Sequence, residues 1–309
     1  MTSKTEPTLQ VVDKRRIGED TLSVPSKYRP CAVLLGYLSA EHARDFLDRK
    51  GAASDVLEQA MQLREQAAAR IKTLPPFDRK KPARQHLQNA EAQAEIQRVM
   101  SRPECESAFP EGSWTAELVE IAGIIPVQPS LDVAYAQSLG EPDLGPSNQL
   151  SAVKLCFAEK HPTEFEVSVD QRQKAISISG INPSLEVVGL RYESQPDGGT
   201  VIASFMVSPA PNIVVVSRYA GRHFLSSGYH RVYRLMKVGY SHVPCAVREV
   251  KSLAQAGAYG PDVFREEALM APRPPLFPDF ADPVLASVVR FPAVHKIVRI
   301  RPDEYFVSA

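Results

Sequence analysis

The stretch Phe224-Leu-Ser-Ser-Gly-Tyr-His-Arg-Val-Tyr-Arg-Leu235 constrains the fold more than any other part of the chain. It reads as a strand, a glycine turn and the first turns of a helix. Gly228 sits at the junction, where the backbone needs a left-handed or otherwise strained conformation. The helix runs to about Val238 and is closed by Gly239, a good residue for the position after a helix. At its start, unpaired backbone N–H groups and the positive dipole end face the same place, which suits an anion. His230 and Arg231 add side-chain donors just inside the helix, and arginine fits forked contact with phosphate or carboxylate. Ser226 and Ser227 add hydroxyls at the rim.

The rest of the chain supplies the setting. Residues 1–28 read as a loosely structured arm. Cys31 to Leu38 is a short apolar run, and Ser39 caps a helix in which His42 takes the third position. A second helix spans about Ser54 to Leu74, with Val56, Leu57, Ala60, Met61, Leu63, Ala67 and Ile71 on one broad face. Pro75-Pro76 stops it. A basic run, Arg79-Lys80-Lys81, leads into a third helix, about Pro82 to Met100. Residues 140–149 form a loop. Strand patterns follow: Val153, Leu155 and Phe157; then Phe165, Val167 and Val169; then Ile176 and Ile178. Asp197-Gly198-Gly199 joins two more strands, about Val187–Glu193 and Thr200–Val207, as a hairpin. Strands are also expected at Ile213–Val216, His223–Leu225 and His242–Val247. From Pro261 the chain is proline-rich and holds one late strand, about Lys296 to Ile300. The expected fold class is α+β, in three parts: an N-terminal arm and helical region (1–110), a mixed sheet with helices (111–250), and an extended, wrapping proline-rich tail (251–309).

Composition excludes several classes. Lys+Arg and Asp+Glu both number 36, so net charge gives no argument for a nucleic acid or a membrane. Locally the balance breaks. Between Gly198 and Arg248 there is no Asp or Glu, while Arg218, Arg222, Arg231, Arg234, Lys237 and Arg248 are all basic. Cys31, Cys105, Cys156 and Cys245 have no Cys-x-x-Cys spacing, which fits reduced, mostly buried thiols. The N-terminal residues carry no apolar leader, and no window holds 18 consecutive apolar residues, so a cytoplasmic protein without membrane contact is expected. Ser227 and His230 lack a neighbouring acid for nucleophilic catalysis. His223, His230 and His242 match no familiar metal spacing. Asp132 and Asp143, near Gln128-Pro129, are loop carboxylates that could hold Mg²⁺ beside a nucleotide.

One family shares the central pattern. Arg222-His-Phe-Leu-Ser-Ser-Gly-Tyr-His-Arg231, followed by Gly239-Tyr-Ser-His-Val-Pro244, resembles the core motif of the ParB/sulfiredoxin superfamily. There a strand turns through Gly-x-[His/Arg]-Arg into a helix and then into a Val-Pro strand. Ile125-Pro-Val-Gln-Pro129 resembles the Gln-Pro element that begins ParB N-terminal domains. The resemblance covers about 120 residues. It implies a ParB/sulfiredoxin-like mixed sheet and a phosphate site at Ser227, Gly228, Tyr229, His230 and Arg231. Arg222 and Arg234 would be supporting basic residues, with Gln128 accessory. The implied ligand is a nucleic acid or a nucleoside di- or triphosphate, with or without Mg²⁺. Tyr229 stands where sulfiredoxins carry cysteine and ParB proteins glutamate, and Ser227 where the serine-kinase relatives carry an acid. No catalytic residue and no protein metal ligand is therefore assigned, and no helix-turn-helix follows. Two functions are expected from this: a ligand-dependent component of a larger system, with phosphoryl transfer or nuclease chemistry if it is an enzyme, or a non-catalytic scaffold that contacts a protein partner or its own copies.

Overall fold

The computed structural model describes residues 28–77, 84–85, 87–140, 145, 148–158, 166–180, 185–195, 200–209, 212–292 and 296–304. In chain order the elements begin with β1 (Tyr28–Val33), α1 (Ala40–Arg49), α2 (Ser54–Ile71), β2 (Arg84–Gln85), α3 (Ala90–Met100) and α4 (Pro103–Ala108). Next come β3 (Thr115–Glu120), β4 (Ile124–Pro126), β5 (Ser130–Asp132), α5 (Val133–Ser138) and α6 (Gln149–Cys156). Four strands follow: β6 (Glu166–Asp170), β7 (Ala175–Gly180), β8 (Leu185–Ser194) and β9 (Val201–Pro209). The last part holds β10 (Val215–Tyr219), β11 (Arg222–Ser227), α7 (Tyr229–Lys237), β12 (His242–Glu249), α8 (Glu266–Leu269), β13 (Ser287–Pro292) and β14 (Lys296–Ile300). The fold class is α+β. Among the described residues no helix is long and apolar enough to cross a membrane.

The chain divides into two compact units. The larger comprises residues 27–159 and 211–293. Its main sheet is mixed, with strand order β2-β3-β12-β10-β11-β4. β10 and β12 run parallel, as do β11 and β4, while β10 with β11 and β3 with β12 are antiparallel. Val243, Cys245, Ala246 and Val247 on β12 are all buried, as a central strand covered on both faces requires. A second sheet has the order β13-β1-β5. The smaller unit contains residues 160–210 and the C-terminal strand, with sheets β14-β7-β6 and β8-β9.

Several local expectations meet the structure directly. The Ser39 hydroxyl accepts from the His42 N–H at 3.1 Å and caps α1. α7 ends in a Schellman arrangement, with Gly239 at φ +94° and the Tyr240 N–H bonded to the Leu235 carbonyl. The late strand is β14, paired with β7. The expected 187–207 hairpin is β8–β9; its Asp197-Gly198-Gly199 turn lies outside the described residues, as do Arg79-Lys80-Lys81, Asp143, Phe165 and residues 1–27.

Two expectations are corrected, and the observed division of the chain follows other lines than the expected one. Val153, Leu155 and Phe157 do not alternate along a strand; they belong to α6 and its end. Asn148 caps that helix by accepting from the Ser151 N–H at 3.0 Å, and Ala152, Val153, Leu155 and Cys156 are buried nearly all round it. The third helix starts at Ala90, capped by Asn89, because Arg84–Gln85 pairs with β3. The boundaries at 110 and 250 differ from the observed division. The helical region, the mixed sheet and the tail up to residue 293 share one core, in which Phe277, Phe280, Leu285, Val289 and Phe291 of the tail are buried. β13 of that tail pairs with β1 along its whole length.

Candidate functional site

Gly228 forms the turn from β11 into α7 with φ +97°, the left-handed conformation expected of it. It is also a packing position. A Cβ built there would lie 2.6 Å from Val214 Cγ2 and 3.0 Å from Val214 Cα. The first two amides of α7 are unpaired: among the described residues neither the Tyr229 nor the His230 N–H has an acceptor. Ser227 is half-buried beside them. That much of the anion-site geometry is present in the backbone.

The side chains point a different way. Tyr229 is buried, and its hydroxyl is a three-way junction. It accepts from the N–H groups of Val127 (2.6 Å) and Gln128 (2.9 Å) and donates to the Leu225 carbonyl (2.9 Å). Burial pushes its pKa up, and the two amide bonds only partly offset this. The structure therefore brings the Gln128-Pro129 element to the turn, through Tyr229 rather than through a ligand. The Gln128 side chain itself is exposed.

His230 accepts from the Asp132 N–H through Nε2 at 3.2 Å and stands edge-on to Tyr135 at 4.8 Å between centroids. Burial lowers its pKa to about 4, against an opposing pull from Asp132. At neutral pH it is an uncharged acceptor, with Nδ1 carrying the proton. The Asp132 carboxylate caps α5 by accepting from the Tyr135 N–H and lies 3.8 Å from Arg29.

Neither arginine at the ends of the Arg222–Arg231 motif is exposed. Arg231 is buried and donates to the carbonyls of Cys156 (3.2 Å) and Asn212. Burial lowers its pKa. Arg222 is 1% exposed and donates to the carbonyls of Leu269 (2.7 Å), Met270 (3.0 Å) and Ala271 (3.0 Å), beneath the Phe77 ring. It closes the C-terminal end of α8. Arg234 is half-buried on α7, and its Nε has no acceptor among the described residues. Ser226 bonds the Ser217 hydroxyl and the Ala256 carbonyl. The basic excess read between residues 198 and 248 is also answered in space, since Arg218 meets Glu117 (3.7 Å) and Glu249 (2.7 Å).

No family model, curated protein or solved structure matches this chain. The site must be read from its own geometry. The chain's later segments pack on the turn: a Cβ built on Gly257 would lie 3.9 Å from Ser226, the Phe264 N–H bonds the Val127 carbonyl, and the Phe277 and Tyr229 ring centroids are 6.2 Å apart. A cleft of about 490 Å³ lies between α1 and residues 258–267, lined by His42, Asp45, Arg49, Arg265 and Glu266, and includes none of the turn residues. Among the described residues no cluster of His, Cys, Asp or Glu could hold a metal ion. Sequence reasoning missed the Tyr229 hydroxyl as the organising group. The pairing of a Gly-Tyr turn with the Val127-Gln128 loop was visible only as two separate motifs.

Proposed function

We propose that this chain is a non-catalytic interaction component that uses a ParB/sulfiredoxin-like arrangement as a scaffold. One observation carries the reading: four of the side chains that would handle a ligand at the Gly228 turn are bonded to the protein itself. Tyr229, His230, Arg231 and Arg222 all serve backbone groups of the same unit. A phosphoryl-transfer or nuclease site needs a charged group aimed at the reacting atoms, and here the two best candidates, Arg231 and His230, are buried and engaged.

A second reading keeps phosphate binding. It is favoured by the unpaired amides of Tyr229 and His230 with Ser227 beside them. A nucleotide or a nucleic-acid phosphate would then sit on backbone donors and the helix dipole alone, which gives weak binding without catalysis.

Thermal melts with ATP, ADP, CTP, GTP and short DNA, each with and without Mg²⁺, separate the two. Ligand at about ten times its Kd adds about 1.4 kcal/mol of stability, a readable shift. The scaffold reading expects no shift with any ligand. A shift that Ser227→Glu removes would establish the second reading, because the new carboxylate repels an anion without entering the core. Arg231→Ala is not a clean probe, since it removes a buried donor shared by the Cys156 and Asn212 carbonyls.

A further inference from the structure

We propose that the β8–β9 ribbon is a self-association surface, and that its occupant is the same ribbon of a second copy of this chain. The proposal deepens the scaffold reading by naming the partner, and rests on that reading only for its biological sense.

Cross-strand partners share a face of a ribbon. The pairs Val187–Val207, Leu190–Phe205, Tyr192–Ala203 and Ser194–Val201 therefore make one face, apolar but for its end. The other face is mixed: it carries Arg191, Glu193 and Ser204 together with Ile202 and Met206. The apolar face is uncovered: Tyr192 is 77% exposed, Val201 65% and Leu190 62%. Two-stranded ribbons are marginal in water unless one face is packed. Among the described residues of their own unit, this face is covered only at its start, where Leu185 is buried. Among the described residues of that unit, Ala175 and Leu185 are the buried apolar side chains.

Size and chemistry favour a second copy. Val187, Leu190, Tyr192, Val201 and Phe205 together leave on the order of 500 Å² uncovered, so two copies would bury on the order of 1,000 Å², the threshold for a specific interface. The face has no charged side chain, as in the centre of homodimer interfaces. Equal numbers of acidic and basic residues mean that two copies do not repel through net charge. The shape is self-complementary. Tyr192 is the tallest side chain and its cross-strand partner, Ala203, the smallest. A twofold axis through this pair puts each copy's Tyr192 above the other's Ala203, an isologous contact that closes at two subunits.

Sedimentation velocity on the full chain tests this. The expected result is a monomer–dimer equilibrium between roughly 1 and 200 µM. Hydrogen exchange in 185–209 should slow as concentration rises. Replacing Leu190 and Tyr192 with threonine keeps strand propensity and should weaken association at least roughly tenfold, with an unchanged circular dichroism spectrum. Arg191→Thr, on the other face, should leave association unchanged. A wild-type monomer throughout the range overturns the proposal, whether the face then proves to be covered by residues 1–27 or by a different protein. A dimer indifferent to the double substitution also overturns it. Nucleotide-dependent stabilisation would count against the scaffold reading without touching this result, and a monomer would leave that reading standing.

Discussion

Gly228 shows how one residue answers two demands. The left-handed φ of +97° penalises any Cβ by about 1–2 kcal/mol. The approach of Val214 adds an overpacking cost of about 1–3 kcal/mol. Gly228→Ala should therefore lose about 2–5 kcal/mol in urea unfolding. Gly228→Asn should do no better, since asparagine tolerates the dihedral but not the contact; a stable Asn variant would mean that Val214 yields. The dihedral was legible in the sequence, from a glycine between a strand and a helix. The contact was not, because it depends on Val214, the residue just before a strand that pairs with β11. His230 gives a second residue-scale test. Its folded pKa of about 4 lies below the ordinary 6.5, so the native state excludes a proton that the unfolded state takes up. Stability is full above pH 6.5 and falls as pH drops towards 4, by at most about 3 kcal/mol. Denaturant midpoints at pH 7.5 and 4.5 should differ more for the wild type than for His230→Asn, which keeps an acceptor for Asp132 and does not titrate. Equal pH dependence in both proteins would place the acid-sensitive group elsewhere.

Among the elements, α7 was the most legible and α6 the least. α7 carries its own punctuation in Gly228 and Gly239, so local chemistry sets both ends. α6 is buried nearly all round, and a helix without a polar face shows no 3.6-residue period. The alternation of Val153, Leu155 and Phe157 then imitates a strand, and only the Asn148 cap argues otherwise. The role of Arg222 was illegible for a related reason. Sequence places it in a basic stretch beside a phosphate motif, whereas the carbonyls it serves lie 47 to 49 residues later. Its work is to fasten the end of α8 against β11. Arg222→Lys should fail at this, because a single ammonium cannot fork across three carbonyls in a fixed plane. Both Arg222→Lys and Arg222→Ala should cost about 2–3 kcal/mol, the penalty of leaving buried polar groups unpaired. Limited proteolysis should find new cleavage between 265 and 275. An arginine that served a ligand instead would leave both stability and the cleavage pattern as they are.

The division of the whole molecule escaped sequence reading because most of the smaller unit is an insertion, joined by the C-terminal strand. The chain leaves the larger unit after α6 and returns to it before β10, and strand patterns run on without a break in texture. Nothing local distinguishes β6–β9, which pair among themselves and with β14, from β10–β12, which build the main sheet. The two ends of the insertion meet: Phe157 and Ile213 pair as an antiparallel bridge, and the Val214 N–H donates to the Cys156 carbonyl at 2.9 Å. The excursion can therefore be removed without stretching the larger unit. A chain of residues 27–159 and 211–293, joined by about three Gly or Ser residues, asks the linker only to close a short hairpin loop. It retains the core that unites the helical region, the mixed sheet and the tail through β13. It should fold with one cooperative transition, and its midpoint should stay within about 5 °C of the larger unit's transition in the full chain. It should also be monomeric at concentrations where the full chain dimerises, since it lacks the β8–β9 ribbon. Calorimetry and sedimentation on this shortened chain report the two properties separately. A chain that does not fold would mean that the smaller unit supplies part of the larger one's core. A folded chain that still dimerises would move the self-association surface to the larger unit.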